Sequence, residues 1–239
     1  MVLKIGHRGA CGYAPENTIL SVKKALELNV DMIEVDVRLC KTGEAVLLHD
    51  SSVKRLFNGK GFVSRKTFGE IRNLYTKEGH KINTLSEILT LVNRRALINI
   101  ELKRTKAAEP VAKLIKEFVG NKKWKYEDFL VSSFNKRALK KFHDLCSNVK
   151  LGWIFYIDNF EPKMQFKPEL SSKGPPLYSL HPNFKLVDKN FVEQAHNKGL
   201  KVFVWTVNNT EDIKEMISYG VDGIISDYPD RIKGERTAF

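Results

Sequence analysis

Short runs of β-branched and other apolar residues alternate along the whole chain with stretches in which apolar positions recur every three or four residues. The short runs predict strands at Leu3–His7, Met32–Leu39, Ala45–His49, Leu97–Lys103, Phe129–Ser133, Leu151–Phe155, Leu177–Leu180, Val202–Val207 and Gly223–Ser226. The periodic stretches predict helices at Thr18–Leu28, Leu85–Val92, Ala107–Val119, Lys136–Leu145, Val187–Asn197 and Thr210–Tyr219. Gly120, Gly199 and Gly220 follow three of these helices, where a left-handed cap favours glycine.

This alternation is the signature of parallel βαβ construction. Nine strands are one more than an eight-stranded barrel needs. Only Cys40 to Glu44 joins the second to the third, far fewer than the roughly dozen residues of a parallel crossover, so these two form an antiparallel hairpin. The other eight can run parallel. The expected fold is α/β, a (β/α)8 TIM-type barrel with a small insertion after the third strand, which is paired to the second. The insertion spans Ser51–Asn83, which is basic, glycine-containing and weakly periodic. Residues 1–239 otherwise read as a single catalytic barrel domain, with no internal repeat or linker.

Barrel enzymes carry their chemistry at the C-terminal ends of the strands. Within Ile33-Glu34-Val35-Asp36-Val37, the period of two sends Glu34 and Asp36 to one face, which in a barrel is the interior. Two buried carboxylates repel each other unless a cation or a basic partner offsets them. An exposed edge strand is the alternative. The fourth strand repeats the pattern with Asn99, Glu101 and Lys103, so Glu101 could complete a three-oxygen site for one hard divalent cation, Mg2+ or Ca2+. A plain Glu101–Lys103 ion pair would leave Glu34 and Asp36 unexplained.

The first strand ends in His7-Arg8-Gly9, and the hairpin returns His49-Asp50 roughly opposite Glu34. Two imidazoles beside a bound phosphate suit acid–base catalysis, because one accepts a proton while the other donates. His181 is a rim candidate. His80, His143 and His196 read as surface residues.

A chain with 42% hydrophobic residues can bury a full core. The N-terminus lacks the apolar region of a signal peptide, and the longest apolar stretch, Leu151 to Ile157, falls far short of the ~20 residues of a membrane span. Cys11, Cys40 and Cys146 show no disulfide or zinc-ligand spacing, which fits a reducing cytoplasm. The net charge is +12, and Ser51–Asn83 supplies half of it, with eight basic residues against Glu70 and Glu78. Such charge suits an anionic small molecule, an anionic membrane surface or nucleic acid. Nucleic acid is not expected, since no recognition module accompanies the charge.

His7-Arg8-Gly9, Pro15-Glu16-Asn17-Thr18, Glu34-x-Asp36, His49-Asp50, Glu101-x-Lys103, Ser132-Ser133-Phe134, Trp205-Thr206-Val207-Asn208 and Gly220-Val221-Asp222-Gly223-Ile224-Ile225 together resemble the glycerophosphodiester phosphodiesterase family. They stand in that family's order across nearly the whole chain. One departure is Ser226-Asp227, where the family more often has Thr-Asp. The resemblance implies a phospholipase-C-like phosphodiesterase barrel with a small insertion after His49-Asp50. It also implies metal-binding Glu34, Asp36 and Glu101, acid–base His7 and His49, and Arg8 and Lys103 near the substrate phosphate. Pro15-Glu16-Asn17-Thr18 would open the first helix.

The implied reaction is metal-dependent hydrolysis of a small glycerophosphodiester to glycerol 3-phosphate and an alcohol, with His7 as base and His49 as acid. The nearest rival is lysophospholipase D-like cleavage of a lysophospholipid, for which Phe57, Phe62 and Phe68 could line an acyl site or simply form the core of a small lobe. A non-catalytic nucleic-acid-binding protein is the distant one. No protein partner is expected, and an anionic membrane is at most a weak second contact.

Overall fold

The structure, a computed structural model, describes residues 2–121, 123–156 and 174–233. Ile157, which ends the longest apolar stretch, lies outside them, as do Met1 and residues 234–239. No helix among the described residues is long and apolar enough to cross a membrane.

The nine strands are β1 (Leu3–Gly6), β2 (Met32–Leu39), β3 (Ala45–Leu47), β4 (Leu97–Leu102), β5 (Phe129–Ser133), β6 (Lys150–Phe155), β7 (Ser179–Pro182), β8 (Lys201–Val204) and β9 (Gly223–Ser226). Eight run parallel and close into a ring through the β1–β2 and β1–β9 pairings. β3 lies outside the ring, antiparallel to β2. The helices are α1 (Ile19–Glu27), α2 (Phe68–Arg72), α3 (Leu85–Val92), α4 (Ala108–Asn121), α5 (Lys136–Leu145), α6 (Lys189–His196) and α7 (Thr210–Tyr219). Side-chain caps fix where several begin: Thr18 starts α1, Thr84 with Glu87 starts α3, and Asp188 and Asn209 start α6 and α7.

The strands sort their side chains by the period of two. Val35, Ile98, Ile100 and Val131 face outward and join Val22, Ile88, Val111 and Phe142 of the helices in one buried layer. Leu180, Val202 and Val204 meet Phe191 and Ile213 in another. Each such side chain contributes ~1.5–3 kcal/mol when fully buried. Ile5, Met32, Leu130, Phe203 and Ile225 fill the barrel interior as a separate apolar cluster. The inward positions further along β2 and β4 are polar: Glu34, Asp36, Asn99 and Glu101, all buried.

Several expectations shift. β3 stops at Leu47, and its pairing of Val37 with Leu47, carried two residues on, sets His49 against Val35 rather than Glu34. β7 begins at Ser179, where Gly152 of β6 makes room for it: a Cβ on Gly152 would lie 2.5 Å from His181 Nε2. β8 ends at Val204, before the expected Val207. Gly220 is a left-handed cap and Gly199 is left-handed three residues past α6, but Gly120 lies inside the last turn of α4. A helix tolerates the ~1 kcal/mol penalty of glycine, least harmfully near a fraying end.

The segment Ser51–Asn83 has more order than its weak periodicity suggests. Thr67 and Glu70 cap α2 reciprocally, and Val53, Phe57, Val63, Ile71 and Ile82 form a small core with Cys40, Val46 and Leu48. Phe57 is buried in that core and Phe68 packs against it, whereas Phe62 is exposed beside Arg65. The small-lobe reading of Phe57 and Phe68 is the one the packing supports.

Candidate active site

His7, Arg8, Glu34, His49, Glu101 and Lys103 line one cavity of about 220 Å³ at the C-terminal end of the barrel. Asp36 lies directly behind it, paired across the sheet with Glu101. The seven expected site residues therefore converge. A larger groove of about 790 Å³ runs outside the barrel past Leu39, Phe68, Pro110 and Leu114, but it contains no histidine and none of the buried carboxylates. The histidines and buried carboxylates are gathered at the smaller cavity.

The three carboxylates offer oxygen atoms that lie within 4.8 Å of one another. Asn17 brackets Asp36, donating to Oδ2 at 2.8 Å and accepting from its backbone N–H at 3.0 Å. Glu34 Oε2 accepts the Arg8 N–H at 2.9 Å, while the buried Oε1 has no hydrogen-bond partner among the described residues. Burial, then the charges of Asp36 and Glu101, holds Glu34 well above the usual carboxylate range. The same burial and Asp36 push Glu101 up to about 7. Burial also works against ionised Asp36, but Lys103, Arg8, His49 and Asn17 outweigh it and hold its pKa low. A buried, unpartnered carboxylate oxygen beside two more carboxylates is a donor set that fits a hard divalent cation.

Both basic residues expected near a phosphate are engaged with these acids. Lys103 Nζ lies 2.6 Å from Glu101 Oε1 and 3.1 Å from Asp36 Oδ1, so the Glu101–Lys103 ion pair exists together with the carboxylate cluster rather than instead of it. Arg8 donates through Nη1 to Glu16 at 3.0 Å, and its Nε sits 3.2 Å from Asp36 Oδ2 without the alignment of a hydrogen bond. Arg8 adopts φ +51° and Gly9 φ +89°. Gly9 packs against α1 so closely that a Cβ would lie 2.4 Å from Ser21 Oγ, which explains the glycine.

Each of the two expected acid–base histidines is held at Nδ1 by a carboxylate. His7 pairs with Asp227 Oδ1 at 2.6 Å and His49 with Asp50 Oδ1 at 2.8 Å, and among the described residues no carboxylate meets Nε2 of either ring. Burial is the main cause that lowers the His49 pKa; Lys103 and Arg8 lower it further, while Asp36 and the bond to Asp50 raise it. Burial opposes ionised Asp227, but hydrogen bonds from His7, Cys11 and Asn208 outweigh that and hold it low.

Sequence reasoning missed the residues behind the site. Asp227 follows β9 and was visible only as part of the Ser-Asp departure. Glu16 and Asn17 serve the site, leaving only Thr18 of that motif as the helix cap. Arg55 links the lobe to the site by a bidentate pair with Glu16, at 2.6 and 3.0 Å, and a contact with Asp50. His181 is fully buried yet lines the same cavity as His7 and His49, with Nε2 2.8 Å from Ser179 Oγ and its pKa pushed down to about 3 by burial. The cause is the inward phase of β7, which it shares with Ser179. His196 is exposed, as expected, and is bonded to Asp222 at 2.7 Å.

The glycerophosphoryl diester phosphodiesterase family matches the chain over residues 7–231. A glycerophosphodiester phosphodiesterase of Caldanaerobacter subterraneus subsp. tengcongensis is 37% identical over 242 residues, covering 96% of each chain. One from Bacillus altitudinis is 35% identical over 238 residues, covering 94% of each. Among solved structures, an Oleispira antarctica phosphodiesterase in complex with the product sn-glycerol-3-phosphate superposes with a TM-score of 0.84 at 26% identity, covering 95% of this chain and 94% of that one. The glycerophosphodiester phosphodiesterase of Thermotoga maritima gives 0.76 at 30% identity, covering 96% of both. Family, relatives and barrel agree, and the chain belongs to the glycerophosphoryl diester phosphodiesterase family.

Proposed function

We propose that this chain hydrolyses small glycerophosphodiesters to glycerol 3-phosphate and an alcohol, using one divalent cation, Mg2+ or Ca2+, and two histidines. The observation that carries the reading is the meeting, in one cavity, of two carboxylate-held imidazoles and three buried acids, one with an unpartnered oxygen. The relatives' names and the neighbour's bound product point to the same substrate class.

Glu34, Asp36 and Glu101 would hold the cation, which when bound supplies Lewis-acid withdrawal of charge from the phosphate oxygens. Lys103 has three donors and spends two on Glu101 and Asp36, so one remains for a phosphate oxygen. Arg8 adds positive charge beside it. With Nδ1 donating to Asp227, the His7 Nε2 lone pair is free to take the proton of the attacking hydroxyl. Burial, Lys103 and Arg8 make a His49 imidazolium a readier donor to the departing alkoxide.

A lysophospholipase D-like reading draws on the apolar wall of the cavity, where Phe134 is exposed and meets Trp205 edge-on at 5.6 Å. The cavity volume of about 220 Å³ favours the shorter substrate, being below the ~300 Å³ at which sites for drug-sized ligands begin. The exposed Lys54, Lys60 and Arg65 could add a weak contact with an anionic membrane, and three free cysteines support a reducing cytoplasm.

The test is product analysis with glycerophosphocholine, glycerophosphoethanolamine and lysophosphatidylcholine, with and without Mg2+ or Ca2+. Glycerol 3-phosphate released from the first two only when metal is present supports the proposal. Preferential turnover of lysophosphatidylcholine would favour the rival, and full activity after EDTA treatment would remove the cation.

A further inference from the structure

The loop after β1 folds back so that Cys11 Sγ lies 2.9 Å from Asp227 Oδ1 and 3.9 Å from His7 Nδ1. That same carboxylate oxygen is 2.6 Å from His7 Nδ1. A thiol, an imidazole nitrogen and a carboxylate oxygen thus meet within 4.8 Å of one another. The frame around them is fixed: the Gly12 N–H donates to the Asp227 carbonyl at 3.0 Å, the His7 N–H to the Ser226 carbonyl at 2.9 Å, and Asn208 Nδ2 to Asp227 Oδ2 at 2.7 Å. His7, Cys11 and Asp227 are each partly exposed.

Sulfur, nitrogen and oxygen donors select a different ion from the all-oxygen set of Glu34, Asp36 and Glu101. Thiolate is a poor ligand for Mg2+ or Ca2+ and a strong one for zinc-class cations. Tetrahedral bonds of ~2.0–2.3 Å place ligand atoms ~3.4–3.6 Å apart. The sulfur–nitrogen distance of 3.9 Å is near that already, and the two shorter contacts, 2.6 and 2.9 Å, need to open by less than ~1 Å.

We propose that His7, Cys11 and Asp227 form a second cation site, selective for thiophilic divalent ions of the zinc class, whose occupation takes His7 Nδ1 from Asp227 and stops turnover. The inhibition rests on the reading of His7 as an acid–base residue; the binding does not. Cys11 coordinates as thiolate, its proton leaving to solvent. Burial and the neighbouring Asp227 push the Cys11 thiol up, so it stays protonated until a cation offsets that charge.

The test titrates the whole chain with Co2+ at saturating Mg2+ and follows thiolate-to-cobalt charge-transfer absorption. Cys40 and Cys146, both buried, remain as internal controls in Cys11→Ser and Cys11→Ala, whose folding is checked by thermal melting. The band is expected in the wild type, absent from both variants and displaced by Zn2+. Glycerophosphocholine hydrolysis should be inhibited by Zn2+ in the wild type, with roughly tenfold more zinc or above needed in the variants, each relative to its own zinc-free rate. No band, or a band and zinc sensitivity unchanged in the variants, would overturn the site. A Cys11-dependent band without inhibition would overturn the inhibitory role and the reading of His7 while leaving the binding site in place.

Discussion

His7 Nδ1 and Asp227 Oδ1 lie 2.6 Å apart across 220 positions of sequence. The pairing fixes the tautomer, since a ring that donates from Nδ1 keeps its Nε2 lone pair. Asp227→Asn removes the acceptor charge and should lower kcat by roughly tenfold to a thousandfold, less than His7→Ala, which should cost on the order of 10²–10⁴. Steady-state kinetics across pH check this. Wild-type turnover in a folded Asp227→Asn protein would make the pair purely structural.

The acid cluster should respond to single changes. Glu34→Gln, Asp36→Asn and Glu101→Gln each remove one of the proposed cation's carboxylate ligands and should raise the metal concentration needed for half-maximal activity. Calorimetric titration with Mg2+ or Ca2+ measures the loss directly. Unchanged affinity in all three would place the cation elsewhere.

Arg55 touches both Asp50, which holds His49, and Glu16, which holds Arg8. Arg55→Ala should therefore lower kcat, by roughly tenfold or more, although the residue belongs to the basic lobe. Restoration by Arg55→Lys should be partial, because one ammonium cannot reproduce the bidentate pair with Glu16.

Steering needs the unpaired charges of the lobe, so Arg55, bound to Glu16, and Arg72, bound to Glu87, are the wrong residues with which to test it. Neutralising Lys54, Lys60, Arg65 and Lys66 together should lower kcat/KM and leave kcat nearly intact, an effect that fades as salt rises. Loss of binding to anionic vesicles with an unchanged rate on glycerophosphocholine would indicate membrane contact instead.

Asp222 accepts from Lys201 Nζ at 2.9 Å, His196 Nε2 at 2.7 Å and the Val202 N–H at 2.9 Å. Burial opposes its charge, but these bonds outweigh that and depress its pKa. A carboxylate depressed on folding stabilises above its unfolded pKa of ~3.9, and the contribution is lost as pH falls through the folded value. Asp222→Asn should destabilise by about 1–2 kcal/mol at pH 7, and the gap from wild type should be smaller at a pH well below the unfolded value of ~3.9. Urea melts at both pH values decide it.

Residue order alone carries what repeats locally. The period of two in β2 and β4 aligned Glu34, Asp36, Asn99 and Glu101 on one face, and the apolar residues between them required that face to turn inward. The five residues from Cys40 to Glu44 required β3 to be antiparallel, leaving eight strands for the ring. Which distant side chains meet follows from how the elements close on one another. Closing β1 against β9 brought Asp227 to His7 and Cys11, and folding the lobe onto the barrel brought Arg55 to Glu16. Burial of His181 depended on the phase of β7, set by its pairing with β6 beside Gly152. Periodicity records how one element divides its own faces, whereas such contacts depend on register and closure between elements, which no local pattern carries.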